Sequence, residues 1–244
     1  MKQSYEYPIL FAVGINYKTA AIGVREKFYI PDEEIPALIK KLKGTLTECV
    51  VVSTCNRTEI YGVTMRADLD LDFFKDLLID FKNARGLVAR EDFFGVVACA
   101  ACQQLFQVVT SVDSKIVGDM QILEQVREAY EIAQQDGSTG KILNQMFQRG
   151  FKLGKLVRTE TNLHKGAVSI SLAAVELASN SFDSLAEKNV LIIGAGKMAR
   201  LTAECLVKKG VGKIFISNRT HENAIQLLKS LQTEYDFEGE VIDF

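Results

Sequence analysis

The segment VVSTCNRTEIYG, residues 51–62, places a cysteine and an arginine two residues apart after an apolar, β-branched run. If the segment is extended, the side chains of Cys55 and Arg57 point to the same face. A guanidinium group beside a thiol favours the thiolate, which is the reactive form. The spacing therefore makes Cys55 a candidate nucleophile. The alternative is a small residue of the core, which is the commoner role of a lone cysteine.

The other cysteines favour packing over chemistry. Cys49 begins the same apolar run, and Cys205 lies in a predicted helix. Cys99 and Cys102 form a C-A-A-C pair among small apolar residues. A redox pair would need a strand before it and a helix after it in a thioredoxin-like unit, and a zinc site would need a second pair. We therefore expect this pair to pack within a helix.

A glycine loop near the C-terminal end predicts a dinucleotide site. The apolar strand NVLII runs into Gly194-Ala195-Gly196-Lys197-Met198-Ala199 and then into a predicted helix. The first glycine permits the tight turn, the second lets a pyrophosphate approach the backbone, and the alanine lets the helix pack on the strand. The N-terminus of the helix would face the phosphate charge.

The end of the next predicted strand, KIFIS, indicates which nucleotide is preferred. An NAD site usually has an acidic residue here for the ribose 2′-hydroxyl, and none occurs between Val211 and Thr220. Arg219, between Asn218 and Thr220, could pair with a 2′-phosphate, which favours NADPH; the alternative is an ordinary surface arginine. The last segment, EGEVIDF, predicts a third strand and so only the first half of a doubly wound fold. We expect a piece of a longer protein or an incomplete dinucleotide site.

The elements that must position these residues fall into two groups. Apolar runs predict strands at residues 9–15, 48–54 and 57–64, and amphipathic patterns predict helices within 31–44 and 69–86. Residues 98–182 are almost wholly helical in pattern, and strands alternate with helices from residue 189 onward. The fold class is therefore an α+β domain with helices over residues 1–165 and a partial α/β Rossmann-type domain over residues 166–244.

Composition excludes several classes of protein. The 244 residues are 48% hydrophobic and 25% charged with a net charge of −2, as in an ordinary globular protein. No apolar run approaches the length of a membrane span, no signal peptide is evident, and no metal-ligand spacing occurs. We expect a cytoplasmic protein with reduced thiols and no membrane contact. Six basic side chains against one acid at residues 141–165 are either a solvated helix face or a phosphate-contacting strip.

These motifs, in this order, resemble the glutamyl-tRNA reductase family over about residues 13–228. The resemblance rests on Gly14-Ile-Asn-Tyr-Lys-Thr19, Ser53-Thr-Cys-Asn-Arg-Thr-Glu-Ile-Tyr61, Asp113-Ser114, Gly118-Asp-Met-Gln-Ile-Leu123, Val157-Arg-Thr-Glu-Thr161 and the Gly194 loop with Asn218-Arg-Thr220. It implies NADPH-dependent reduction of glutamyl-tRNA to glutamate-1-semialdehyde, the first step of five-carbon tetrapyrrole synthesis. In the family the cysteine forms a thioester with the glutamyl group before hydride reduces it. The family is homodimeric through a C-terminal domain that is absent here, and the downstream semialdehyde aminomutase is an implied partner.

The resemblance also implies a set of site residues. The nucleophile would be Cys55, and the substrate contacts would be Thr54, Asn56, Arg57, Ser114, Asp119, Met120, Gln121 and Gln125. Arg57 would suit a substrate carboxylate and Asp119 an ammonium group. Gln104 stands where the family has a histidine thought to assist the chemistry, and glutamine cannot act as an acid or base.

Two alternatives remain open. Gln104 and the early end of the sequence motivate a degenerate paralogue that binds tRNA or a partner without reducing anything. The Gly-Ala-Gly loop and Asn-Arg-Thr also occur in shikimate-dehydrogenase-like NADP oxidoreductases, although the Thr-Cys-Asn-Arg segment argues against that family.

Overall fold

Two compact units make up the chain, Met1–Ala167 and Val168–Phe244. The computed structural model describes residues 7–66, 68–115, 117–118, 121–161, 163 and 170–244, apart from the side chains of Ile170 and Lys197. The first unit is α+β and the second is a Rossmann-type α/β unit, so the fold class predicted from the sequence is confirmed.

The first unit is built on an antiparallel sheet in the order β2-β3-β1-β4. Its elements are β1 (Ile9–Asn16), α1 (Ile22–Phe28), α2 (Ile35–Leu42), β2 (Glu48–Thr54), β3 (Arg57–Thr64), α3 (Leu71–Phe81), β4 (Phe94–Val97), α4 (Cys99–Val109), α5 (Gln121–Gln135) and α6 (Lys141–Glu160). All residues of β3 are buried, because helices cover both faces of the central strands. β4 pairs only with β1 and was not expected from the sequence.

Hydrogen bonds from β2 fix the later helices to the sheet. The Glu48 carboxylate accepts from the backbone N–H groups of Ile142 (3.1 Å) and Leu143 (2.7 Å), and so caps the first turn of α6. The Ser138 hydroxyl, between α5 and α6, donates to the carbonyl of Cys49 at 2.9 Å. Tyr61 from β3 and Phe147 from α6 then meet edge to face in the core. The strand that leads to Cys55 is therefore anchored at its far end.

The second unit is a parallel sheet in the order β5-β6-β7 with crossover helices. Its elements are α7 (Ile170–Ser181), β5 (Asn189–Ile193), α8 (Lys197–Lys208), β6 (Lys213–Ser217), α9 (His221–Glu234) and β7 (Glu238–Ile242). Its separate core includes Ile214, Ile216, Ala203 and Leu231, each fully buried. This arrangement is a β-α-β-α-β unit with a glycine loop after the first strand, which is where such units bind nucleotides.

Candidate functional site

Cys55 lies in a two-residue turn that joins β2 to β3. Thr54 and Arg57 are paired across the ladder, so Cys55 and Asn56 alone make the connection. The Asn56 N–H is held by the Thr54 hydroxyl at 3.2 Å, and the Cys55 side chain is exposed. The prediction that Cys55 and Arg57 share a face of one extended segment is therefore wrong, because the chain reverses between them. What remains is an exposed thiol at the tip of an anchored hairpin.

Arg57 belongs to a buried group of polar side chains that we call the carboxylate cluster: Arg57, Glu59, Gln104 and Asp113. Its Nη1 donates to Glu59 Oε1 at 2.8 Å and to Asp113 Oδ2 at 3.3 Å, and its Nη2 donates to the carbonyl of Asp113. The side chains of Arg57 and Glu59 are 1% and 0% exposed. Because both Nη atoms already have acceptors, Arg57 anchors the start of β3 to the loop that follows α4.

Gln104 joins the same two carboxylates. Its amide nitrogen lies 3.1 Å from Glu59 Oε1 and 3.3 Å from Asp113 Oδ2. The remaining oxygen of Glu59 accepts from the Tyr61 hydroxyl at 2.6 Å. Gln104 is a neutral donor that bridges the two carboxylates. Gln104 therefore holds the cluster together and does not titrate.

Lys18 and Tyr17 complete the surroundings of Asp113. Lys18 Nζ lies 2.6 Å from Asp113 Oδ1, and the Tyr17 hydroxyl donates to the same oxygen at 3.2 Å. The loop that carries them is fixed by Asn16, whose Oδ1 accepts from the N–H of Lys18 at 2.9 Å. Two carboxylates thus face two cations, so the formal charges of the cluster and Lys18 balance.

Charge and burial oppose each other in this group. Burial alone would raise the pKa of Asp113, but the hydrogen bond from Lys18 and the charge of Arg57 outweigh it, so the pKa of Asp113 lies below its usual value. Burial alone would lower the pKa of Arg57, but Glu59 and Asp113 raise it. The pKa of Tyr61 lies well above its usual value because the phenol is buried beside Glu59. These three pKa shifts favour the charged forms of Asp113 and Arg57 and the neutral form of Tyr61.

Sequence reasoning gave no role to Glu59, Asp113 or Lys18. A signal was available for Glu59, because Arg57, Glu59 and Tyr61 alternate along β3 and so lie on one face of the strand. The link to Asp113 spans 56 residues and has no local signal.

The other predicted substrate contacts lie after α4. Ser114 directly follows Asp113, and Gln121 and Gln125 lie one turn apart at the start of α5 with half-buried side chains. Asp119 and Met120 lie outside the described residues. Substrate binding by this set stays a prediction.

The glycine loop of the second unit has the geometry that a pyrophosphate needs. Gly194 has φ +109°, a backbone conformation that residues other than glycine rarely adopt. Its N–H donates to the Ser217 carbonyl at 2.7 Å. Gly196 is the N-cap of α8 and has no side chain to cap the first N–H groups. A Cβ atom at Gly196 would meet no described atom within 4 Å, so the space in front of these donors is open. The residues present fit a phosphate group.

A cavity adjoins this loop. Its volume is about 440 Å³, and Gly196, Arg200, Asn223 and Gln226 are among its lining residues. Ala199 packs against the core of the unit and Met198 is 39% exposed. The cavity is within the size range of small-molecule sites.

Arg219 follows β6 with its side chain exposed. Asn218 beside it turns back to donate to the Thr220 carbonyl at 2.7 Å, which shapes the loop. No carboxylate in the described part of the chain pairs with Arg219. Its guanidinium is therefore available to pair with a phosphate.

The remaining cysteines differ in burial. Cys49 is buried, and burial raises the pKa of its thiol to about 11, as expected for a core residue. Cys99 is exposed at the first position of α4, so the prediction that the C-A-A-C pair packs is wrong for Cys99. Cys102 is half-buried against the core.

The described residues contain no group of side chains that could hold a metal ion. Their helices also include none with the length and apolarity of a membrane span.

Comparison with known proteins adds the following. A family model described as "Glutamyl-tRNAGlu reductase, N-terminal domain" matches residues 13–161, and one described as "Shikimate / quinate 5-dehydrogenase" matches residues 176–239. The chain is 40% identical over 226 residues to glutamyl-tRNA reductase of Chlorobaculum parvum, covering 92% of this chain and 53% of that protein. It is also 40% identical over 226 residues to that of Halalkalibacterium halodurans, covering 90% of this chain and 48% of that protein.

A solved structure agrees. The structure of "Glutamyl-tRNA Reductase from Methanopyrus kandleri" matches with a TM-score of 0.63 and 34% identity, over 96% of this chain and 54% of that one. The chain thus spans about half the length of the relatives it matches. The first family model alone covers more than half of the chain and includes the hairpin with Cys55. The chain belongs to the glutamyl-tRNA reductase family.

Proposed function

We propose that the chain takes the glutamyl group of glutamyl-tRNA onto Cys55 and binds NADPH for its reduction to glutamate-1-semialdehyde. The observation that carries this proposal is the exposed thiol at the tip of a hairpin whose strands are buried and whose first β3 residue is fixed by two carboxylates. Such a thiol is accessible to a large substrate and is held in one place, which nucleophilic catalysis requires.

The proposed first step is an acyl transfer. The Cys55 sulfur attacks the carbonyl carbon of the ester that links glutamate to tRNA, the bond to the 3′ oxygen breaks, and tRNA leaves with the proton of the thiol. A thioester results, and it is more easily reduced than the original ester. When bound, NADPH supplies the hydride that turns this thioester into the aldehyde and frees the thiol.

Residues around the turn would bind the glutamyl group. By the family resemblance these are Thr54, Asn56, Arg57, Ser114, Asp119, Met120, Gln121 and Gln125. Arg57 is buried, and its charge is neutralised by Glu59 and Asp113. It would therefore contribute by holding the turn and the Asp113–Ser114 segment together. Gln104 supports the same cluster without exchanging a proton.

The second unit would hold NADPH. The loop Gly194, Ala195, Gly196, Lys197, Met198 and Ala199 would take the pyrophosphate on the N-terminus of α8. Asn218, Arg219 and Thr220 would take the 2′-phosphate.

Replacing Arg219 by leucine should weaken NADPH binding about tenfold or more and leave NADH binding unchanged. The reason is that only NADPH carries the 2′-phosphate, so only NADPH loses a charge-assisted hydrogen bond. Equal loss for both nucleotides would contradict NADPH preference.

The solvent face of α6 is a suitable surface for tRNA. Lys141, Arg149, Lys152 and Lys155 are exposed, and the opposite face of the helix, with Leu143 and Phe147, is buried. Phosphate contacts of this kind make affinity fall steeply with salt. The family resemblance adds a homodimer and the semialdehyde aminomutase as a partner, and the cysteine usage of the sequence adds a cytoplasmic location.

The decisive experiment separates acyl transfer from reduction. The protein is incubated with glutamyl-tRNA, and peptides are analysed by mass spectrometry for a glutamyl adduct. We expect the adduct on the Cys55 peptide, its loss in Cys55→Ser, and its retention in Cys99→Ser, the matched variant at another exposed cysteine. Addition of NADPH should then give the semialdehyde.

Other outcomes favour the alternatives. Binding of tRNA with no adduct would favour a non-reducing paralogue, for which the neutral Gln104 is the supporting observation. Turnover of shikimate with NADP would favour the oxidoreductase suggested by the model that matches residues 176–239. Either outcome would overturn the lead proposal.

A further inference from the structure

The C-A-A-C pair lies at the exposed start of α4, directly after a strand. β4 ends at Val97, Ala98 is the N-cap of α4, and Cys99 is its first residue. Ala98 has φ +52° and turns the chain from the sheet edge into the helix, and its N–H donates to the Leu10 carbonyl at 2.7 Å. A strand before two such cysteines and a helix after them is the local arrangement of a redox pair. The likeness is local, since β4 runs antiparallel to β1.

The two thiols differ in access. Cys99 is exposed, whereas Cys102 is half-buried and packs against the core of the first unit. Burial raises the pKa of the Cys102 thiol, and the charge of Cys99 raises it further, because the two groups are close enough to interact. Redox pairs have this asymmetry: an accessible thiol reacts first, and a sheltered neighbour resolves the product.

The spacing of the pair suits a disulfide. Residues three apart in an α-helix have Cα atoms about 5 Å apart, within the usual disulfide range of about 4.4–6.8 Å. Their Cβ atoms are about 5–6 Å apart in a regular helix and must approach to about 3.8 Å. Because Cys99 is the first residue of the helix, only the end of α4 has to tighten.

Neither Cys49 nor Cys55 can reach Cys99. The turn with Cys55 lies at one end of β1 and Cys99 lies at the other, about 20 Å away along the strand. Cys49 is buried in β2, which is three strand spacings, or about 14 Å, from β4. Within the first unit, the partner of Cys99 is therefore Cys102.

The start of α4 favours a reactive thiol at Cys99. The segment from Phe93 to Val112 contains no charged side chain, so the helix itself is the source of positive potential within it. The first N–H groups of a helix have no intrahelical acceptors and stabilise a thiolate beside them. Ala98 has no side chain that could cap these groups. The small side chains on either side of Cys99 leave its sulfur open to a reagent.

We propose that Cys99 and Cys102 form a reversible disulfide by exchange with a low-molecular-weight disulfide of the glutathione class. The Cys99 thiolate attacks one sulfur of that disulfide, its S–S bond breaks, and a first thiol leaves with the proton that Cys99 has released. The Cys102 sulfur then attacks the Cys99 sulfur, and a second thiol leaves with the proton of Cys102. The pair is oxidised, and the small disulfide is reduced to two thiols.

This site is separate from Cys55 and does not depend on the reaction proposed there. In a reducing compartment a disulfide of this kind is transient and responds to the balance of small thiols and disulfides. The pair is thereby a redox-sensing site at the end of the sheet remote from the turn.

The first test follows both cysteines in one peptide. Trypsin releases residues 91–115, which hold Cys99 and Cys102 and no other cysteine. The reduced protein is treated with glutathione disulfide, quenched with acid, labelled with N-ethylmaleimide and analysed by mass spectrometry. We expect an unlabelled peptide that has lost two hydrogens and regains them with dithiothreitol. The exposed Cys55, which has no neighbouring thiol in the first unit, should go no further than a mixed disulfide with glutathione.

Two results of this test would overturn the proposal. One is a peptide that stays reduced under conditions that modify Cys55. The other is a mixed disulfide with glutathione that persists at Cys99 in the wild-type protein, since Cys102 would then fail to displace it.

Single variants test the order of attack. In Cys102→Ser, glutathione should remain attached to Cys99. In Cys99→Ser, Cys102 should react at least about tenfold more slowly than Cys99 does in Cys102→Ser, because it is half-buried. In urea, where the fold is lost, the two thiols should react at similar rates. Cys205→Ser is the control and should leave the disulfide unchanged. Equal rates in the folded variants would overturn the assignment of Cys99 as the attacking thiol.

Hydrogen exchange of the α4 amides checks that the variants are folded. Should Cys102→Ser lose protection because a hydroxyl replaces a packed thiol, Cys102→Ala takes its place. The same accumulation of glutathione at Cys99 is expected in that variant. A folded Cys102→Ala protein in which Cys99 stays reduced would overturn the proposal.

Discussion

Replacement of Arg57 by methionine should destabilise the first unit strongly. Methionine preserves much of the volume of the side chain but removes the cation that faces Glu59 at 2.8 Å and Asp113 at 3.3 Å. All three side chains are at most 3% exposed, so water cannot replace the lost charge. Removing one partner of a buried ion pair typically costs about 3–5 kcal/mol, and we expect a loss in that range.

A double variant isolates the electrostatic part of this cost. Arg57→Met with Glu59→Gln removes one charge of each sign, and the glutamine oxygen can still accept from the Tyr61 hydroxyl. We expect the double variant to recover roughly half or more of the loss, because the uncompensated charge at Glu59 is gone. Arg90→Met is the exposed control, since Arg90 also contacts two carboxylates, Asp72 and Asp76, but in water. Its effect should not be measurable.

Hydrogen exchange is the suitable assay because the chain has two units and no tryptophan. The opening free energy of β3 amides reports the first unit, and the amides of β6 are the internal reference. A loss below about 1 kcal/mol in Arg57→Met would refute the view of Arg57 as an internal counter-ion. So would a double variant that is no more stable than the single one.

Four further predictions concern the other parts of the two sites. Gly196→Ala should leave the fold of the second unit intact, since open space surrounds the new Cβ, yet weaken NADPH binding at least about tenfold in a fluorescence titration. Gly194→Ala should instead cost about 1–3 kcal/mol of stability in urea, because φ is +109°. Gln104→Leu should cost about 1–3 kcal/mol in the same assay, as two carboxylate oxygens lose a donor. The lowered pKa of Asp113 stabilises the fold above its ordinary pKa of about 4, and this stabilisation is lost as the pH falls through the folded-state value. The urea midpoint should therefore fall more steeply below about pH 4 in wild type than in Asp113→Asn.

Local patterns accounted for most of the elements. The predicted runs 48–54 and 57–64 coincide with β2 and β3, since continuous β-branched and apolar residues mark strands buried on both faces. The helix expected within 31–44 begins only at Ile35, because residues 31–34 form a turn closed by the Glu34 N–H on the Pro31 carbonyl. β4 has four residues and half-exposed alternation, too little for a periodic signal.

The turn between β2 and β3 explains why the prediction of an extended segment at residues 55–57 was wrong. The two strand predictions leave two residues between them, which is a hairpin connection, yet the usual Asn-Gly signal is missing. Neither Cys55 nor Asn56 has a positive φ, so this turn needs no glycine. The predicted strands 48–54 and 57–64 already leave residues 55 and 56 as their connection, so these two residues could not also be extended. Pairing of Arg57 with Asp113 could not be foreseen, because it depends on how α4 returns to the sheet.

Proximity in sequence singles out Arg57 as the partner of Cys55, whereas its surroundings make it a structural residue. An arginine that is buried between two carboxylates lowers the energy of the folded chain, so its removal should appear first in stability. If Arg57→Met instead kept its folding free energy and lost only the acyl transfer to Cys55, Arg57 would act on the substrate and not as an internal counter-ion.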